Sequence, residues 1–357
     1  MPEIPEKFDK HHKHTNGYTA NNGKQFRKAA FVKNRIELMH GWLQQDLGYS
    51  DYSLMTASAD ASFRRYFRLQ TNGQSFIIMD APPEEEDCRP YIDIASRLFG
   101  GGLNVPEVLA KDLEKGFLLL TDLGESLYLD HLSDANADSL YSDALNALFL
   151  MQEAVSPDGL PDYDDKLLQN EMNLFQDWLL ERHLGQSPSQ QELNALRETS
   201  QLLLNNALQQ PRVFVHRDYH SRNLILSATN NPGILDFQDA VQGPVSYDLV
   251  SLLKDCYIKW PPGKIYSWVD QFYGELKNKP FTRKTFVTWF DLMGVQRHLK
   301  ASGIFARLCH RDGKKGYLKD IPRTLSYIID LEDNYPELGP LADLISRRVL
   351  PALEKGA

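Results

Sequence analysis

The stretch Val213–Asp239 constrains this chain more than any other. It opens with Val213-Phe214-Val215, a β-branched and aromatic run that predicts a strand. A polar loop follows, then Leu224-Ile225-Leu226, a turn at Asn230-Asn231-Pro232-Gly233, and Ile234-Leu235. Two short apolar runs about a turn signal predict a hairpin. Asn223 and Asp236 flank it almost symmetrically, so a pairing that places them directly opposite brings their Cβ atoms to roughly 4.5–5.5 Å. An amide oxygen beside a carboxylate is hard-oxygen ligation, suited to Mg²⁺ held jointly with phosphate oxygens. Asp218, on the loop entering the hairpin, stands in front of that cation. A carboxylate facing an acceptor hydroxyl, with an Asn and an Asp on the metal, is the layout phosphoryl transfer requires.

Each of these residues has a plainer reading alone: Asp218 as a turn residue, Asn223 as a strand-end cap, Asp236 as a bulge. Their joint spacing between strand signals favours the catalytic reading. A hydrolase metal centre on His216, Asp218 and His220 is the competing constellation. It lacks a second His/Asp cluster elsewhere in the sequence to complete it.

His216-Arg217-Asp218, Asn223 and Ile234-Leu235-Asp236-Phe237 together resemble the catalytic loop and metal-binding segment of kinase-fold phosphotransferases. Asp236-Phe237-Gln238-Asp239, where protein kinases carry Asp-Phe-Gly, is similar to the aminoglycoside-phosphotransferase-like branch, which acts on small molecules. The resemblance implies an α+β, protein-kinase-like two-lobed fold, with a small β-rich N-lobe and a mainly helical C-lobe. It implies ATP and Mg²⁺ as cofactors, Asp218 as the catalytic residue, and Asn223 and Asp236 as the metal ligands. Residues 31–123 are expected to form the nucleotide-binding N-lobe and 124–357 the catalytic and sugar-binding C-lobe. Residues 1–30, with His11-His12-Lys13-His14 and little periodicity, read as a polar, flexible extension.

Within the N-lobe, Arg65–Leu69 and Ser75–Met79 flank a turn at Asn72-Gly73 and predict a second hairpin. By the resemblance, Ser58–Phe63 covers the ATP phosphates, with Ser62 and Phe63 at the turn and Arg64 and Arg65 as nearby cations. Kinases place a Lys on the following strand; here it reads Phe76-Ile77-Ile78-Met79-Asp80, so one of the two arginines is expected to substitute. Leu118–Gly124 corresponds to the hinge, which puts Thr121 and Leu123 beside the adenine. Further on, Ser189 and Glu192 form a capping box ahead of a helix to Leu208, and Asp248 is expected to N-cap the helix carrying Leu249, Leu252 and Leu253.

Segments around Ala61–Tyr66, Gly243–Tyr257, Asp291–Lys300, Ile304–Leu308 and Ile321–Leu325 narrow the resemblance to the bacterial anomeric amino-sugar kinases of peptidoglycan recycling. It implies phosphorylation of the C1 hydroxyl of N-acetylmuramate and/or N-acetylglucosamine, the sugar 1-phosphate passing to a uridylyltransferase. The acceptors of the wider branch, an aminoglycoside, choline or homoserine, are the alternative, and an inactive nucleotide-binding scaffold is the alternative of another class. An acidic sugar demands a local cation, for which Arg297, Lys300, Arg307 and Arg311 are candidates, although solvated surface positions are the ordinary fate of such residues.

Totals set the remaining bounds. A net charge of −9 argues against nucleic acid or an anionic membrane as the main partner. The 3 cysteines, few and widely separated, fit a reducing cytoplasm without a disulfide framework. No apolar run nears the roughly 20 residues that span a bilayer, and the polar N-terminus lacks the apolar core of a secretory signal.

Overall fold

A computed structural model describes residues 34–58, 64–277 and 279–355. Helix α1 (34–41) continues into a wider turn at Trp42–Asp46. Five strands follow: β1 (Ser53–Ser58), β2 (Arg65–Thr71), β3 (Gln74–Asp80) and, after helix α2 (Arg89–Gly100), β4 (Val108–Asp112) and β5 (Phe117–Thr121). They form one antiparallel sheet in the order β1-β2-β3-β5-β4. The β2–β3 hairpin closes at Asn72-Gly73, both at positive φ (49° and 76°), as a two-residue turn matching the strand twist requires.

β5 shows why its sequence is an unbroken apolar run. Phe117 and Leu119 face Met39, Trp42 and Leu43 of the N-terminal helix. Leu118 and Leu120 face the other way, into the cluster holding Tyr91, Ile94 and Leu98 of α2. A strand covered on both sides has no polar face to alternate with.

Beyond Thr121 the chain is mainly helical: α3 (Tyr128–His131), α4 (Ala137–Ala154), α5 (Asp165–Leu174, running on through Phe175–His183) and α6 (Gln190–Leu208). The Ser189/Glu192 capping box is formed in full. Two short ribbons follow. β6 (Arg212–Val215) pairs with β9 (Val241–Pro244), and β7 (Leu224–Ile225) pairs with β8 (Gly233–Ile234). Then come α7 (Tyr247–Leu253), α8 (Pro262–Glu275), α9 (Arg283–Asp312), α10 (Ile321–Ile329), α11 (Gly339–Leu344) and α12 (Leu350–Lys355).

The 30 residues of α9 span roughly 45 Å at 1.5 Å per residue, so this helix traverses the helical part and fixes its packing. It passes close to α5 at Gly303, where a Cβ would stand 2.3 Å from the Leu174 carbonyl carbon. Only a glycine admits that approach. Among the described residues no helix is long and apolar enough to cross a membrane.

Candidate active site

The loop between β6 and β7 is held by two carboxylates of the segment that follows β9. Asp248 accepts the backbone N–H groups of His216 (2.6 Å) and Arg217 (3.0 Å). That grip sustains the left-handed conformation of Arg217, φ 76°. Asp255, just beyond α7, accepts the N–H (3.0 Å) and Oγ–H (2.5 Å) of Ser221. The expectation that Asp248 caps α7 is therefore corrected: Ser246 occupies the N-cap, and Asp248 lies inside the first turn facing the loop. Burial, against the two backbone donors, pushes Asp248 up to about 7.

Asp218 sits between these anchors, half-buried, its N–H donating to His216 Nδ1 at 3.2 Å. Burial alone raises a carboxyl, but the charges of Lys300, His220, Arg297 and Arg217 outweigh it and hold Asp218 below the usual range. His216 is fully buried, which lowers it to about 4 and keeps the ring neutral, as an accepting Nδ1 requires.

The β7–β8 hairpin forms, but one residue out of the expected register. Leu224 pairs with Ile234 and Ile225 with Gly233, so Leu235, not Asp236, lies opposite Asn223 and donates its N–H to the Asn223 carbonyl (2.9 Å). Asn223 and Asp236 are thus not directly opposed. Asp236 instead turns at φ 63°, and both side chains line the same cleft as Asp218. Asn223 Nδ2 donates to the Asp218 carbonyl (3.0 Å), so its amide oxygen is the atom that could hold a cation. Asp236 Oδ1 accepts from Gln238 Nε2 (2.8 Å). Hard oxygens from an amide and a carboxylate suit Mg²⁺ completed by phosphate oxygens. Among the described residues no cluster of three or more His, Cys, Asp or Glu forms a self-sufficient metal site, so the His216/Asp218/His220 centre is not assembled.

The cleft, about 780 Å³, runs between the sheet and the helices. On the sheet side it is lined by Arg64, Tyr66, Ile77, Leu120, Thr121 and Leu123. Arg64 reaches Glu86 at 3.2 Å. Arg65 does not line the cleft: its guanidinium grips the fully buried Asp80, which also takes Nε (3.0 Å) and Nη2 (2.5 Å) of Arg35. Of the two adjacent arginines, Arg64 lines the cleft and Arg65 is turned to Asp80. At the end of β5, Thr121 and Leu123 flank Asp122, whose carboxylate accepts from Arg68 Nε (2.7 Å), Ser75 Oγ (2.5 Å) and Gly124 N–H (2.9 Å). Ser62 and Phe63 lie outside the described residues.

On the helical side, α9 presents Arg297, Lys300, Ile304, Arg307 and Arg311 as one stripe along the cleft. Arg297 and Lys300 are buried, contrary to the expectation of solvated positions. Glu171 on α5, which holds Lys300 and Arg217, was not singled out from sequence. It receives Lys300 Nζ (2.9 Å), Arg217 Nη2 (2.5 Å), Gln296 Nε2 (3.2 Å) and the Tyr163 hydroxyl. Burial opposes its charge, and Lys300 and Arg217 overcome that opposition and lower its pKa. The only signal available was an acid one position before Met172, in the stripe facing the core.

A two-lobed kinase-like fold with a loop aspartate before an Asn/Asp pair defines a phosphotransferase site. The phosphotransferase enzyme family (APH) is matched over residues 53–282, and the chain belongs to it. An N-acetylmuramate/N-acetylglucosamine kinase of Pseudomonas aeruginosa is 48% identical over 82% of this chain and 88% of its own length. One of Neisseria meningitidis is 40% identical, covering 88% and 96% respectively. The crystal structure of the aminoglycoside phosphotransferase APH(2'')-Ib, ADP-bound, shares the fold at TM-score 0.54 and 15% identity, covering 81% of this chain and 96% of that one.

Proposed function

We propose that the chain transfers the γ-phosphoryl group of ATP to the anomeric C1 hydroxyl of N-acetylmuramate or N-acetylglucosamine, with Mg²⁺, giving the sugar α-1-phosphate. The relatives named for these two sugars support the acceptor, and the ADP of the fold neighbour supports the nucleotide. The observation that carries the reading is the placement of Asp218, flanked by Asn223 and Asp236, in one cleft with the α9 cations.

Asp218 accepts the hydrogen bond of the C1 hydroxyl and aims its oxygen at the γ-phosphorus. A carboxylate held below its ordinary pKa is a weak base, so its first contribution is orientation; the proton passes to it late, as the O–P bond forms. The bond from phosphorus to the β,γ-bridging oxygen breaks in the same displacement, and ADP leaves with the electron pair. Asn223 and Asp236 are the residues that would hold Mg²⁺, which when bound neutralises charge on the β- and γ-phosphate oxygens. Arg64 is the cation on the sheet side that takes the place of the missing Lys. Thr121 and Leu123 are assigned to the base at the hinge, and Ser62 and Phe63 to the ATP phosphates.

We further assign residues 31–123 to nucleotide binding and 124–357 to catalysis and the acceptor, in a cytoplasmic enzyme. The product is one that a uridylyltransferase consumes. Phosphorus NMR of the product from N-acetylmuramate tests the reaction: an anomeric phosphate supports it, and a 6-phosphate or no sugar-dependent ADP release overturns it.

A further inference from the structure

We propose that Arg307 on α9 is the anion subsite of the acceptor pocket and receives the lactyl carboxylate of N-acetylmuramate, a contact N-acetylglucosamine does not make. The proposal rests on the two-sugar reading above and names the residue that distinguishes the two sugars.

Four cations of the α9 stripe face the cleft, and they are not equivalent. Lys300 is engaged by Glu171 and by the Tyr247 hydroxyl (3.0 Å). Arg311 pairs with its neighbour Asp312 (2.8 Å). Arg297 is buried beside the catalytic loop, where its charge acts on Asp218, and its guanidinium touches Cys256 Sγ at 3.5 Å. Arg307 alone of the four has neither an ion pair nor a side-chain hydrogen bond among the described residues, and its Nε, like that of Arg297, is buried without a partner.

A half-buried guanidinium that makes no direct ion pair is unfavourable, the more so with Arg311 one turn away. Burial and Arg311 lower the pKa of Arg307, and the more distant charges of Asp312 and Glu171 offset them only in part. In a chain of net charge −9, where acids outnumber bases, a cleft cation that no carboxylate contacts directly points to an anion supplied by the ligand. Position agrees. Arg307 follows Arg297 by ten residues, roughly 15 Å along the axis, and it lines the same cleft as Asp218. A hexose with C1 at Asp218 extends its ring substituents along that stripe. Arginine's planar fork suits a carboxylate bidentately. The 3-hydroxyl of N-acetylglucosamine presents no charge, and water then solvates Arg307.

The test compares both sugars as acceptors of the full-length protein. In Arg307→Gln, the ratio of kcat/KM for N-acetylmuramate to that for N-acetylglucosamine should fall about tenfold or more, through KM, the scale of one charge-assisted hydrogen bond. Arg307→Lys should recover part of it. The wild-type protein provides a check free of folding effects: the methyl ester of N-acetylmuramate, which lacks the charge, should lose the same factor, and Arg307→Gln should not distinguish acid from ester. A ratio within twofold of wild type, or wild-type protein indifferent to esterification, overturns the subsite while leaving the kinase reading standing. Absence of phosphorylation of either sugar by wild type instead overturns the reading beneath it.

Discussion

The two walls of the cleft are secured by opposite means. On the helical wall, Asp248 and Asp255 are buried carboxylates that accept backbone N–H groups of the catalytic loop. On the sheet wall, Asp80 is a buried carboxylate gripped by the guanidinium groups of Arg35 and Arg65. The first arrangement fixes main-chain geometry, down to the positive φ of Arg217, without drawing on the Asp218 carboxylate. The second fixes side chains and withdraws one of two adjacent arginines from the cleft. A backbone-anchored loop tolerates little movement of its anchors, whereas an ion-paired strand end can lose one of two cations and keep the other.

Asp218→Asn tests the helical wall most severely. It keeps the shape and removes the charge that orients the hydroxyl and receives its proton, so kcat should fall by about 10²–10⁴. Nucleotide affinity, measured by equilibrium titration, should change little. Turnover near wild type would remove Asp218 from the centre of the mechanism.

Asp248→Ala removes the acceptor of two buried N–H groups at once. An unsatisfied buried donor costs roughly 1–3 kcal/mol, and the loop that carries Asp218 loses its hold. Both Tm and kcat should drop, the second more than N-lobe substitutions achieve. A variant that melts lower yet turns over normally would show that the loop keeps its geometry unaided.

The sheet wall separates Arg64 from Arg65. Arg64→Ala should raise the KM for ATP about tenfold, the loss of one charge-assisted contact, with Tm nearly constant. Arg65→Ala should lower Tm by the weakening of a buried pair that Arg35 still holds, and should move the nucleotide KM less. The reverse pattern would transfer the phosphate role to Arg65.

How much of this was legible from sequence divides along the same line. The hairpin was readable from its apolar runs and its Asn-Asn-Pro-Gly turn, and the loop residues from their spacing. The register was not, because the ladder ends at Ile225 and Gly233. Leu226 donates its N–H to Ser126 (2.7 Å) rather than across the hairpin, so counting outward from the turn overshoots by one. Asp248 looked like a cap because it precedes a helical stripe, and the partner that claims it lies 32 residues upstream, at His216. Glu171 was unreadable for the same reason: a single buried acid breaks no periodicity, and its meaning lies in Arg217 and Lys300, on other elements. Arg65 and Arg64 were indistinguishable until strand register sent one to Asp80 and the other to the cleft.

The smallest expected effect is an asymmetry in acid. His216, His220 and His298 are held in the helical part, and burial lowers all three, His216 to about 4 and His298 to about 3. The unfolded chain takes up these protons first, near pH 6.5, so between pH 6.5 and the folded values it binds more protons than the native state. Stability therefore rises with pH through that window and is lost as pH falls. Each such histidine contributes at most about 1.4 kcal/mol per pH unit. Replacing His298, which is stacked on Tyr327 and bonded to the Lys254 carbonyl (2.9 Å), removes one contribution. The Tm advantage of wild type over His298→Gln, measured from pH 7.5 to 5, should stay flat above about pH 7 and narrow steadily below 6.5. An advantage independent of pH would mean that His298 takes up its proton as readily folded as unfolded, and the acid sensitivity assigned to the helical wall would then rest on the other two rings alone.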